Sequence, residues 1–182
     1  MDDSQAIRQI ATAASEEDVL AIARAFYRTQ GFAALSYARP SRDNPGRSEV
    51  TSFGFPEGFV ADYRDGLAEF DPLPGLAARA GRPVRILDIV EGRLSANQQL
   101  FVDTARKHGL TDGFLLPTFG PRQHIVVFSI TMAEHEDRIA HADVPILHSV
   151  AQAAIAASSL EITDSMPPSV PRTSGRIFVR RK

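Results

Sequence analysis

Apolar positions recur along this chain with two periods, one helical and one extended, and their order lays out a fold. Ala6, Ile7, Ile10, Ala13 and Ala14 fall at helical spacing. Ser15 with Asp18 is an N-cap signal for a second helix running through Thr29, which Gly31 closes. Alternation from Phe32 to Arg39 and from Glu49 to Phe55 predicts two strands. The turn formers Pro40, Ser41, Asp43, Asn44, Pro45 and Gly46 between them make a hairpin. Pro56 can start a helix carrying Phe59, Val60 and Tyr63, and Asp71 can cap another beginning at Pro72.

Farther along, the short apolar segment Pro83 to Val90 predicts a third strand. Ser95 caps a helix ending at Gly109, with Lys107 and His108 in its last turn. Gly113 to Phe119 and His124 to Met132 predict two more strands joined through Gly120 and Pro121, and a long helix follows from about Asp143 to Leu160 with Pro145 in its first turn. The order gives an α+β class: a central, mostly antiparallel sheet of about five strands, with helices on both faces as an α-β-α sandwich. No segment repeats.

Composition narrows the function classes. With 182 residues and 43% hydrophobic content, the chain suffices for one buried core and is too short for two ordinary domains. We expect a ligand-sensing domain over residues 1–163 and a Pro-rich, basic, flexible tail over 164–182, where Pro167, Pro168 and Pro171 give way to Arg172, Arg176, Arg180, Arg181 and Lys182. A formal net charge of -2 supplies no global basic field for nucleic acid. Nor does the tail show the apolar pattern of a helix-turn-helix, so direct sequence-specific DNA reading by this chain is not expected. The absence of cysteine excludes disulfides, thiolate metal sites and cysteine nucleophiles. No secretory leader or membrane-spanning run is evident, which leads to the expectation of a cytoplasmic protein with no membrane contact.

The densest signal lies in residues 55–120. Phe55, Pro56, Phe59 and Tyr63 are followed by Asp71-Pro72, and then by Ala105, Gly109, Leu110, Gly113, Pro117 and Gly120 at fixed spacings. This order resembles the autoinducer-binding domain of the LuxR family, bacterial quorum-sensing regulators that bury an acyl-homoserine lactone in an α-β-α sandwich and usually continue into a helix-turn-helix domain. The resemblance covers about residues 5–160. It implies that Tyr63 donates to the guest's acyl carbonyl, that Asp71 accepts from its amide N–H, and that the Ser129 hydroxyl faces the acyl amide region. It further implies that Phe55 packs near the ring and chain. Phe59 and Ile86 stand where the family carries tryptophans, so no indole N–H is available for a lactone carbonyl. Strand residues Leu35, Tyr37, Leu115 and Val127 are expected to complete the apolar wall.

Taken singly, each residue also has a structural reading. Tyr63 lies one turn from Phe59 and can simply pack; Asp71 before Pro72 can simply cap; Ser129 can bond backbone. Both roles can coexist. An enzyme is not expected: there is no Gly-x-Ser-x-Gly elbow, phosphate loop or dinucleotide fingerprint, and His124 has no evident orienting partner. A small hydrolase is the residual alternative. His135, His141 and His148 with Glu134, Glu136 and Asp137 lack the spacing of metal ligands, so neither metal nor cofactor is expected. The resemblance implies action through dimerisation, as a homodimer or, alternatively, as a ligand-independent partner that inhibits a complete LuxR-type regulator by forming a heterodimer with it; the small side chains of the Ala-rich stretch Val150 to Ala157 let helices approach closely, which makes it either the expected docking face or a cover for the sheet. A truncated regulator is the remaining alternative.

Overall fold

A computed structural model describes residues 1–40, 47–120, 125–132, 137–160 and 177–180. Helices α1 (Asp3–Ala11) and α2 (Glu16–Thr29) lead into strands β1 (Ala34–Pro40) and β2 (Arg47–Phe53). Next come α3 (Glu57–Arg64), a 3-10 turn (Leu67–Phe70), α4 (Leu73–Ala80), β3 (Val84–Arg85), α5 (Ile86–Val90) and α6 (Ala96–Lys107). Strands β4 (Asp112–Phe119) and β5 (Ile125–Met132), helices α7 (Asp137–Ala140) and α8 (Val144–Leu160), and strand β6 (Ile177–Arg180) complete the order. All strand pairs are antiparallel, in one sheet of order β3-β4-β5-β1-β2-β6. The α+β class and the sandwich thus hold.

The starts and stops of the helices follow from local chemistry. Ser15 Oγ accepts from the Asp18 N–H at 3.1 Å, and Gly31 leaves α2 at φ +93°. A reciprocal capping box begins α6: Ser95 Oγ accepts from the Gln98 N–H at 3.3 Å, and Gln98 Oε1 accepts from the Ser95 N–H at 2.9 Å. We expect Ser95→Ala to lower stability by about 1 kcal/mol in urea unfolding.

Period-two alternation divides the sheet into two faces with different fates. Leu35, Tyr37, Phe114, Leu116, Val126, Phe128 and Ile130 point to one side, where they pack with α1, α2 and α8 into a closed core. Their neighbours of opposite parity, among them Leu115 and Val127, face α3 through α6. Gly113 sits where β4 approaches β5 so closely that an added Cβ would strike the Ile130 carbonyl and the Thr131 Cα.

Several expectations need correction. The strand expected over Pro83 to Val90 is only Val84–Arg85, and from Ile86 the chain is helical. Ile86 and Val90 bury together at helical spacing, and the Asp112 carboxylate accepts the Leu87 N–H at 3.3 Å, which favours the turn. In the Ala-rich stretch of α8, Val150, Ala151, Ala154 and Ile155 are buried against the sheet and its companion helices, so this part of the expected docking face covers the core instead. Of the expected tail, Ile177–Arg180 pair with β2. The hairpin turn 41–46, His124, His135 with Glu134 and Glu136, and the rest of the tail lie outside the described residues.

Candidate ligand-binding site

Between the sheet and α3–α6 the second layer does not close. It leaves about 90 Å³ in which the centre of a water-sized sphere can move. One water needs only ~10–15 Å³ on that measure, so the space suits a larger guest. Phe55, Phe59, Tyr63, Asp71, Ile86, Leu115, Val127 and Ser129 all line it.

Leu35 and Tyr37 do not. They belong to the opposite face, and Ser36 and Ala38 line the cavity in their place. The reason is competition: the larger apolar side chains of β1 gain more in the fully packed core, which leaves the small ones to face the open space. The Tyr37 hydroxyl meanwhile donates to Glu16 Oε1 at 2.7 Å, on α2. Sequence reading also missed Val50 and Ser52 on β2, Phe101, Val102 and Ala105 on α6, and Thr131 on β5. Helical spacing of Phe101, Val102 and Ala105 was the signal available for α6.

The roof is aromatic. Phe59 stacks on Phe55 with ring centroids 5.8 Å apart, lies 5.9 Å from Tyr63, and meets Phe101 edge-on at 6.2 Å. Outside this cluster His108, at the end of α6, contacts Asp62 of α3 through Nε2 at 2.8 Å. A side chain at Gly58 would collide with that imidazole, so glycine lets the two helices meet there.

Two polar groups are fixed in this apolar surround. The Tyr63 hydroxyl donates to Asp71 Oδ2 at 2.9 Å, and Asp71 Oδ1 accepts the Leu73 N–H at 2.9 Å. The second bond holds the carboxylate at the entry to α4, where it serves the start of the helix. Burial pushes the Asp71 carboxyl up to about 6 from its usual value, against the opposing pull of the Leu73 and Tyr63 donors. Burial, with Asp71 beside it, moves the Tyr63 phenol well above its ordinary range. Each carboxylate oxygen still has lone-pair capacity for a further donor, and the phenol is in reach of the same point. At the cavity's margin Asp112 is buried, accepting from Arg85 Nε at 2.6 Å and from the Gly113 N–H at 2.7 Å. Among the described residues, no group of His, Asp and Glu could hold a metal ion.

The family described as the autoinducer binding domain matches residues 15–158. The chain belongs to the autoinducer-binding domain family. Its fold is similar to that of CepR2, an N-acylhomoserine-lactone-dependent LuxR-family transcription factor from Burkholderia cenocepacia, with a TM-score of 0.71 at 16% identity over 89% of this chain and 96% of that one. SdiA from Escherichia coli gives a TM-score of 0.62 at 15% identity, over 92% of this chain and 71% of SdiA. SdiA in complex with octanoyl-rac-glycerol gives 0.61 at 15% identity, over 94% and 70%. At these identities the structural likeness concerns the fold. No curated protein sequence matches. Within the autoinducer-binding frame, Phe59 and Ile86 are apolar members of the wall, and no helix among the described residues is long and apolar enough to cross a membrane.

Proposed function

We propose that this autoinducer-binding domain is a small-molecule sensor acting in quorum-sensing transcriptional control, and that its guest is an acyl-homoserine lactone or a related amphiphile. The observation that carries the reading is the Tyr63–Asp71 pair, two hydrogen-bonding groups held together in a largely apolar cavity large enough for a guest. An amide or ester head group meets that pair, and the acyl chain lies against Val127, Leu115 and the aromatic roof. CepR2 is described as dependent on N-acylhomoserine lactone, and SdiA has been solved with octanoyl-rac-glycerol, so related folds accept both kinds of head group.

The head group is where this chain departs from its family. Phe59 offers no donor to a lactone carbonyl, which shifts recognition onto the amide or ester held by Tyr63, Asp71 and Ser129. Signalling then proceeds through dimerisation in the cytoplasm, with another copy or with a complete LuxR-type regulator. Mass spectrometry of small molecules released from the protein purified from its native host tests the sensor reading. An amphiphile with an amide or ester head in near-stoichiometric amount is the expected result; protein that carries no small molecule and is not stabilised by any acyl-homoserine lactone or monoacylglycerol overturns it.

A further inference from the structure

The cavity wall meets solvent beside the end of α6. Of the residues that line the cavity, Arg106 in the last turn of α6 and Thr111 just ahead of β4 are exposed, whereas the others are buried or half-buried. Between those two in sequence stands His108, and it touches Asp62 on α3, the helix that supplies Phe59, Val60 and Tyr63 to the same cavity. The exposed part of the wall thus lies next to the seam between α3 and the end of α6.

That seam is held differently on its two sides. Inside, Phe59 and Tyr63 meet Phe101 of α6 edge-on, with ring centroids 6.2 and 6.3 Å apart. Outside, His108 Nε2 donates to Asp62 Oδ2, and among the described residues no other hydrogen bond joins α3 to α6 or its cap. A carboxylate only accepts, so the ring carries its proton on Nε2. His108 caps α6, its own N–H bonded to the Ala105 carbonyl at 3.1 Å, and its ring rests edge-on against Phe59 at 6.0 Å. Gly58 supplies the room, since a Cβ there would stand 2.7 Å from His108 Cε1. The imidazole therefore sits in a notch of α3. With the Asp62 side chain half exposed and that of His108 about a quarter exposed, the bond that keeps it there is weak enough to open readily.

We propose that the seam between α3 and the end of α6 is the gate through which the guest enters and leaves, and that the His108–Asp62 bond is its latch. When the bond opens, Phe59 loses the ring that backs it from outside, and the aromatic roof can part over the cavity. A latch that closes the empty and the occupied protein alike sets the rates of exchange and leaves affinity almost untouched. This inference rests on the reading of the cavity as a guest site and concerns the route into it.

The test is the exchange kinetics of tritiated N-octanoyl-homoserine lactone on the full chain. Asp62→Ala, at a half-exposed helical position that alanine suits, raises association and dissociation rates together by about two- to fivefold, the effect of losing one solvent-exposed contact to a carboxylate, and leaves Kd within about twofold. The chain has no cysteine, so Asp62→Cys with His108→Cys provides two unique thiols. Bridging them with a short bifunctional thiol reagent slows both rates on the order of tenfold or more, whereas capping each with N-ethylmaleimide does not. Bridged protein that exchanges the lactone as fast as capped protein overturns the gate while the sensor reading stands. So does an Asp62→Ala variant in which dissociation alone quickens, because Asp62 then supports the bound state and not the route. If the unaltered protein does not bind the lactone, the lactone reading of the cavity falls, and the gate with it.

Discussion

Asp71→Asn is expected to weaken binding of N-octanoyl-homoserine lactone by about ten- to a hundredfold and, at neutral pH, to make the empty protein more stable. The two effects have opposite signs because one carboxylate does two things. Toward a guest it is an anionic acceptor, and a hydrogen bond to a charged group contributes about 1.5–3 kcal/mol. Toward the fold it is a burden, since burial lifts its pKa from 3.8 to about 6. A carboxyl whose folded pKa lies above its unfolded one favours the folded state only when protonated. The penalty is therefore absent below about pH 4, grows between the two values, and is complete above about 6, where it amounts to ~1–3 kcal/mol.

Asparagine keeps the Oδ1 acceptor for the Leu73 N–H and can turn its amide toward the Tyr63 oxygen, so the local frame survives. Denaturant unfolding at pH 7.5 and pH 4, with calorimetric affinities at pH 7.5, checks both halves. The stability gain appears at the higher pH and vanishes at the lower one. An asparagine variant that binds the lactone as tightly as the unaltered protein excludes Asp71 as the acceptor of the guest's amide.

How much of this was legible beforehand depended on whether a residue's partner lay close in sequence. Caps such as Ser15 and Ser95 bond a donor three residues away, so local spacing carried them, whereas Tyr63 and Asp71 were singled out through the family resemblance and the bond between them was not foreseen. The parity of β1 was not local. Leu35–Ser36–Tyr37–Ala38 alternates clearly, but which set meets a packed layer and which a cavity depends on helices at the two ends of the chain. Choosing the larger apolar residues for the cavity reversed the assignment, because the larger residues fill the tighter side. Ile86 lines the cavity from a helix and not from the expected strand, since a short, mostly apolar segment reads equally as strand or helix. Thr131 could not be singled out at all. A threonine in a strand is ordinary, and only the lack of a partner for its Oγ1 among the described residues distinguishes it.

The mutual bond between Tyr63 and Asp71 changes how binding should respond to acid. Before a guest arrives, the phenol and the Leu73 N–H already stabilise the carboxylate, yet its pKa stays near 6 because burial dominates. A guest amide donating to that carboxylate binds the ionised form, and in doing so draws the bound pKa lower. Affinity therefore sits on a plateau at pH 7.5 and falls as pH drops through about 6, being about tenfold weaker at pH 5. Tyr63→Phe removes one donor to the carboxylate, so the whole decline moves to higher pH; Asp71→Asn has no proton to take up, and its weak binding is flat over the same range. Titrations with N-octanoyl-homoserine lactone between pH 5 and 7.5 on the three proteins separate these cases. A pH-independent affinity in the unaltered protein means that the guest gives no proton donor to Asp71, and the head group then lies elsewhere in the cavity.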